Sequence, residues 1–237
     1  MEVHSPASIA WFMTAPQHCP YIDGRTMQTV LVDPSARLSA HGFGQLLAEG
    51  FRRSGRFVYR HQCEDCRACV PVRIAVDQFQ PNRRLRRIAH RNHDLVLQLP
   101  QQIDIDEHVD LLTRYLAARH AGGGMDHTGQ HEYRGMLESR HAQALPIELR
   151  LEGRLVAVGV TDRTPRGLSA MYSFFDPLLE KRSLGHYMIL NQVELARTWH
   201  LPHVYLGYWI PECRKMAYKI GFPSVEKRGR DGRWHTV

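Results

Sequence analysis

The second half of the chain changes its hydrophobic period in a fixed order, and that order limits the folds open to it. Residues 147–151 and 155–161 alternate with period two around a Glu152-Gly153 turn, which reads as a hairpin. Residues 168–175 form a third strand, stopped by Asp176-Pro177. Residues 184–199 are mostly apolar and too long for a strand, so they read as a buried helix. Residues 203–206 return to strand, and 211–220 read as a short closing helix. A helix between two strands of one sheet gives a mixed α/β class, α+β in its hairpin part.

Hairpin, strand, helix, strand, helix is also the order of the GCN5-related acyltransferase-like (GNAT) fold, which this half resembles. The resemblance implies that the phosphates of an acyl carrier lie at the N-terminus of the long helix. Free amide N–H groups and the positive dipole end favour anions there. Lys181, Arg182, Ser183 and Gly185 occupy that place. The plainer alternative is an ordinary helix start capped by Ser183. One glycine is fewer than coenzyme A enzymes of this class usually carry.

The first half is organised differently. Residues 27–32 read as a strand. Ser39 opens a helix to about residue 54, with Phe43, Leu46, Leu47, Gly50 and Phe51 as its buried stripe. Arg52, Arg53 and Arg56 crowd its end, where cations suit the dipole. Residues 57–60, 72–76 and 95–99 read as strands. Pro100 and Gln101-Gln102 mark a boundary between a cysteine-bearing domain, 1–100, and a transferase-like domain, 101–237. Helices follow at 106–120 and 129–138, separated by the glycine break 121–124.

Cys63, Cys66 and Cys69 have two residues between neighbours, a spacing that lets sulfurs face one centre. Cys19 is the natural fourth ligand, with His18 or His61 as substitutes. Four thiolates suit zinc and a [4Fe–4S] cluster alike, in a structural or regulatory role. Cys213, among apolar neighbours, reads as a buried structural thiol.

Lys and Arg total 31 against 24 Asp and Glu, a net charge of +7 that suits an anionic partner. Residues 82–93 are the most basic stretch. Arg83, Arg84, Arg86, Arg87 and Arg91 track nucleic-acid phosphates on one reading and form a solvated face on the other. The 43% hydrophobic content excludes a disordered chain. No apolar run approaches the ~18 residues of a membrane span, and no basic segment precedes the apolar patch 9–13. The expected address is therefore cytoplasmic.

Several separated motifs carry a family likeness. Cys19-Pro20-Tyr21, residues 50–55, Tyr59-Arg60, the cysteine run with 70–73, and 87–92 resemble the N-terminal part of the aminoacyl-tRNA–protein transferases. Residues 172–177, 183–185 and 205–210, with Cys213, Lys215-Met216 and Tyr218-Lys219, resemble their C-terminal part. The short Cys-Pro-Tyr form resembles the bacterial leucyltransferase branch. The longer eukaryotic members open this motif with a second cysteine where Ile22 stands here, so their cluster ligation does not transfer position for position.

The resemblance implies transfer of leucine from leucyl-tRNA to the N-terminal amine of proteins beginning with Asp or Glu, which marks them for N-degron (N-end rule) degradation. The donor is an activated ester, so no cofactor is required for the chemistry. An α-amine of pKa ~7.7–8.0 is partly neutral at pH 7. On this reading Asp176 takes the late proton and Tyr208 and Tyr172 face the reacting groups. Arg73, Lys215 or Lys219 meets the acceptor's acidic side chain. Two other classes stay open: a coenzyme A-dependent N-acetyltransferase, and a metal-stapled nucleic-acid-binding module without catalysis.

Overall fold

The computed structural model describes residues 9–119, 129–139 and 141–237. The chain opens with short strands β1 (Trp11–Met13), β2 (Gln17–His18), β3 (Thr26–Met27) and β4 (Thr29–Val32). Helix α1 (Ala40–Ala48) and strands β5 (Arg52–Ser54) and β6 (Phe57–His61) follow. β1, β4, β6 and β5 form an antiparallel sheet in that order. α1 is capped by Ser39 Oγ, which accepts from Gly42 N at 3.1 Å. Its Phe43, Leu46 and Leu47 pack on Val30, Val32, Phe51 and Val58.

The helix expected to reach residue 54 stops earlier. Gly50 adopts φ +85°, and a Cβ there would lie 2.7 Å from Pro71 Cγ. Only glycine meets both demands at low cost. The chain therefore turns, and Arg52 and Arg53 emerge on a strand with their side chains on opposite faces.

The remaining elements are β7 (Val70–Ala75), α2 (Arg83–Arg91), β8 (Val96–Gln98), α3 (Ile105–Arg119) and α4 (Gln130–Leu137). Then come β9 (Gln143–Leu151), β10 (Arg154–Thr164), β11 (Gly167–Phe175), α5 (Leu184–Thr198), β12 (His203–Trp209), α6 (Arg214–Ala217), β13 (Val225–Arg228) and β14 (Trp234–Thr236). They build an eight-stranded sheet, β14-β13-β7-β12-β11-β10-β9-β8. The expected hairpin is present and longer, with Glu152 and Gly153 at φ 50° and 83° in its turn. β11 and β12 run parallel, joined by α5, and their neighbours are antiparallel. The expected glycine break 121–124 lies outside the described residues. The helix expected at 211–220 is instead the short α6 followed by a 3₁₀ turn.

Alternation along β12 explains the layering. Val204 and Leu206 face α5 and α2, whose Ile189, Val193, Leu85 and Ile88 complete that core. Tyr205 faces α1. α3 and α4 cover the same face further along, with Leu111, Leu112 and Tyr133 on Val158, Val160 and Phe174. β7, from the first hundred residues, sits between β12 and β13, and β8 forms the opposite edge of the sheet. The boundary expected at residue 100 thus runs through a shared sheet. Among the described residues no helix is long and apolar enough to cross a membrane.

Gly50→Ala should lower stability by about 1–3 kcal/mol, through strain at positive φ and contact with Pro71. Chemical denaturation of the two proteins measures it; an unchanged midpoint would contradict this account of the α1–β5 turn.

Candidate active site

The parallel pair β11/β12 is short. Its register holds for Leu168↔Val204 and Ser169↔Tyr205. Beyond those pairs the ladder ends, which leaves backbone carbonyls to be satisfied in another way. Arg52 satisfies them. Its Nη2 donates to Ala170 O at 2.9 Å and its Nη1 to Tyr205 O at 3.4 Å. β12 breaks register against β7 between Tyr205 and Gly207, and Gly207 adopts φ +85°. A Cβ on Gly207 would lie 3.2 Å from Arg52 Nε and 3.3 Å from its Cζ. The bulge therefore makes room for the guanidinium.

Arg52 is buried, and burial lowers its pKa. Among the described residues no carboxylate is bonded to it. Asp162 is taken by Arg53, whose Nε and Nη2 donate to it at 3.0 and 2.7 Å. Lys219 brings a second buried cation close by. Its Nζ donates to Tyr208 O at 2.8 Å and lies 3.2 Å from Met216 Sδ. Burial and the nearby Arg52 charge push its pKa down to about 7, against the pull of Cys213 and Cys69. Two buried basic groups that feel each other's charge, without bonded carboxylates, suit a site where negative charge develops.

The sequence-based candidates fare differently here. Asp176 is fully buried. Its Oδ2 accepts from Arg154 Nη1 at 2.6 Å, its Oδ1 accepts from Leu178 N at 3.0 Å, and Arg114 Nη1 lies 3.6 Å away. Its carboxylate caps the turn that follows β11 and ties it to α3 and β10. Tyr208 is buried, and its hydroxyl donates to Gly50 O at 3.0 Å while accepting from His61 N at 3.4 Å. It pins β12 to the first sheet. Tyr172 Oη is buried without a partner among the described residues, just past the end of the parallel ladder. Arg73 donates to Glu226 at 2.7 Å and lies over the Trp234 ring, so its charge is already used. Lys215 is exposed on α6.

The nucleic-acid candidates converge. Asn82 caps α2, and Leu85 and Ile88 anchor it. Arg83, Arg86, Arg87, His90 and Arg91 then share one open, basic face of the helix. Asn92 Nδ2 donates to Arg182 O at 2.8 Å, Arg91 donates to Lys181 O, and Arg84 pairs with His186 at 3.2 Å. α2 is thereby fixed to the start of α5. Ser183 there takes φ 55° and its side chain does not cap the helix, contrary to expectation. Arg182 is bonded to Asp94 at 2.7 and 2.8 Å.

The cysteine run lines a separate cleft of about 720 Å³, together with His61, Tyr208 and Trp209. Burial and the neighbouring thiols push Cys69 up to about 12. Yet Arg25 Nη1 donates to Cys66 Sγ at 3.3 Å, and Cys63 Sγ leans on Gln28 O at 3.9 Å. Among the described residues no three His, Cys, Asp or Glu side chains stand close enough to hold one ion. Among the described residues, the four thiols expected as ligands, Cys19, Cys63, Cys66 and Cys69, are not gathered around one centre. Cys213 is half-buried at the start of α6 rather than in a helix core.

Arg52 was not among the sequence-based candidates, because it was assigned to a helix end. The helix-breaking Gly50 was the signal that would have moved it to a strand.

Lys219 also makes a pH prediction. Its folded pKa lies below the unfolded one, so the unfolded chain binds more protons above about pH 7 and stability rises with pH. Lys219→Met should remove that rise between pH 7 and 9 and should be most stabilising at the acid end. Parallel stability curves for the two proteins would contradict the buried-cation assignment.

Residues 107–228 match the family model for the C terminus of arginine-tRNA-protein transferases, and residues 17–87 match that for the N terminus. The aspartate/glutamate leucyltransferase of Thiobacillus denitrificans is 44% identical over 229 residues, 97% of this chain and 95% of that one. That of Chromohalobacter salexigens is 45% identical over 232 residues, 95% of this chain and 94% of that one. Among solved structures, FemX superposes with a TM-score of 0.51 at 8% identity, covering 89% of this chain and 83% of its own, a likeness of fold alone. With both halves matched and relatives above 40% identity along nearly its whole length, the chain belongs to the arginine-tRNA-protein transferase family of aminoacyltransferases.

Proposed function

We propose that the protein moves leucine from leucyl-tRNA to the N-terminal amine of proteins beginning with Asp or Glu, in the cytoplasm, and so marks them for N-degron degradation. The observation that carries this reading is the basic face of α2 fixed against the uncapped start of α5, beside the end of the parallel pair. A nucleic acid held along α2 can extend its 3′ end over α5 toward Arg52. The aspartate/glutamate leucyltransferase name shared by its relatives supports the donor and the acceptor. The order hairpin, β11, α5, β12 supports a GCN5-related fold, with the first hundred residues as a cysteine-bearing part that lends β7 to the sheet.

In this reading Arg83, Arg86, Arg87 and Arg91 meet phosphates. Arg84, already bonded to His186, links them to α5, while Lys181, Ser183 and Gly185 frame the helix start. Arg182 holds that start through Asp94 rather than meeting phosphate. The acceptor amine attacks the ester carbonyl; a C–N bond forms and the C–O bond to the terminal ribose breaks. The proton lost from nitrogen ends on the ribose oxygen. Arg52 and Lys219 supply positive charge to the intermediate oxyanion, a contribution typically worth a few kcal/mol. Tyr172 Oη is a free donor on the same side. Positioning supplies much of the remainder, because the donor is already activated.

Radiolabelled leucine should pass from leucyl-tRNA to peptides beginning with Asp or Glu and not to those beginning with Ala or Lys. Label drawn from arginyl-tRNA instead would keep the family and overturn the donor. Arg86→Glu with Arg87→Glu should weaken leucyl-tRNA binding. The double variant should also flatten the log–log salt slope by about 0.7–0.9 per lost contact. Equal slopes would remove α2 from the tRNA path.

A further inference from the structure

The 720 Å³ cleft has a charge of its own, apart from the basic face of α2. Its cationic lining is Arg60, Arg67, Lys227, Arg228 and Arg230; its one carboxylate is Glu49. Arg228 is paired with Glu49. Arg60 lies over the Phe51 ring and donates to Glu49 O, and Arg67 donates to the carbonyls of its own loop. Lys227 and Arg230 are exposed, and among the described residues neither has a carboxylate partner. Two free cations thus stand over a floor of His61, Tyr208 and Trp209, whose rings include a His61–Tyr208 contact at 5.1 Å.

The cleft also adjoins the centre. Tyr208 lines it, and the carbonyl of the same residue receives Lys219 Nζ. A ligand in the cleft therefore meets the residue whose carbonyl holds Lys219 Nζ. The volume is in the range of small-ligand pockets, too confined for a folded nucleic acid.

We infer that this cleft seats the N-terminal residue of the acceptor protein, with Lys227 and Arg230 binding its side-chain carboxylate and the amine directed past Tyr208. The inference rests on the transfer reading above and adds the place and the residues of acceptor selection. Asp and Glu differ by one methylene. The long, exposed stems of Lys227 and Arg230 follow either length, whereas a rigid pair would choose one. An Ala terminus would leave both cations unmatched, and a Lys terminus would add a like charge.

The test is steady-state transfer with peptides beginning Asp, Glu, Ala or Lys, comparing wild type with Lys227→Glu/Arg230→Glu and with the milder Lys227→Gln/Arg230→Gln. The charge-reversed protein should show KM for the Asp and Glu peptides raised about tenfold or more, since charge-assisted hydrogen bonds are lost. Its kcat at saturating peptide and its Kd for leucyl-tRNA should stay within about twofold, and Lys-initial peptides should gain. The glutamine pair should raise KM less, without the gain for Lys peptides. Unchanged KM in both variants would overturn the inference. Weakened leucyl-tRNA binding with unchanged peptide KM would also overturn it and give the cleft to the tRNA. A wild type that transfers leucine to none of the peptides would fell the transfer reading itself, an outcome distinct from an active wild type with insensitive variants.

Discussion

Two adjacent arginines join the parts of this chain, and the geometry of the centre depends on both. Arg53 is clamped on Asp162 of β10 and also donates to Met136 O in the last turn of α4. Both side chains of the ion pair are fully buried. Such a pair adds little over a well-packed apolar contact, but losing one partner leaves a buried charge, a cost of about 3–5 kcal/mol. It therefore acts as a register lock. With Arg53 held on one face of β5, Arg52 must project from the other, and there it reaches the carbonyls that the diverging strands β11 and β12 leave unpaired.

On the proposed reading, that arrangement gives the two substrates separate surfaces. The arginines of α2 and the start of α5 form one continuous basic approach, fixed by backbone-directed bonds from Arg91 and Asn92. The cysteine-lined cleft opens at the ends of β7, β12 and β13. Between them lie Arg52, Lys219 and Tyr208. An ester donor and a partly neutral amine need little acid–base help, so a centre made of positive charge and positioning is sufficient in kind.

The transferase-like half was legible because its signals are local. Period-two runs, the Glu152-Gly153 turn and the long apolar α5 each declare themselves in sequence, and the structure lengthens the hairpin strands by a few residues. The first half was harder, because long-range contacts decide it. Nothing near β7 says that it enters a sheet between β12 and β13, 130 residues later. Arg52 looked like a helix-end charge because its partners, Ala170 O and Tyr205 O, are more than 100 residues away. The polar atoms of Asp176 and Tyr208 engage Arg154, Leu178 N and Gly50 O, partners that no local pattern announces. The cysteine spacing suggested a shared metal, while in the fold two of the thiols turn to Arg25 and Gln28. Spacing reports which groups can meet; burial and competing partners decide whether they do.

The chain contains only four lysines, Lys181, Lys215, Lys219 and Lys227, which makes the path of the donor's 3′ end directly measurable. Periodate-oxidised tRNA carries a terminal dialdehyde that forms imines with nearby amines, trapped by borohydride and located by peptide mapping. The account predicts capture at Lys181 or Lys219, along α5 and the end of the parallel pair, with Lys227 in the acceptor cleft left unlabelled. Capture at Lys227 alone would contradict it, because the donor would then occupy the cleft assigned to the acceptor.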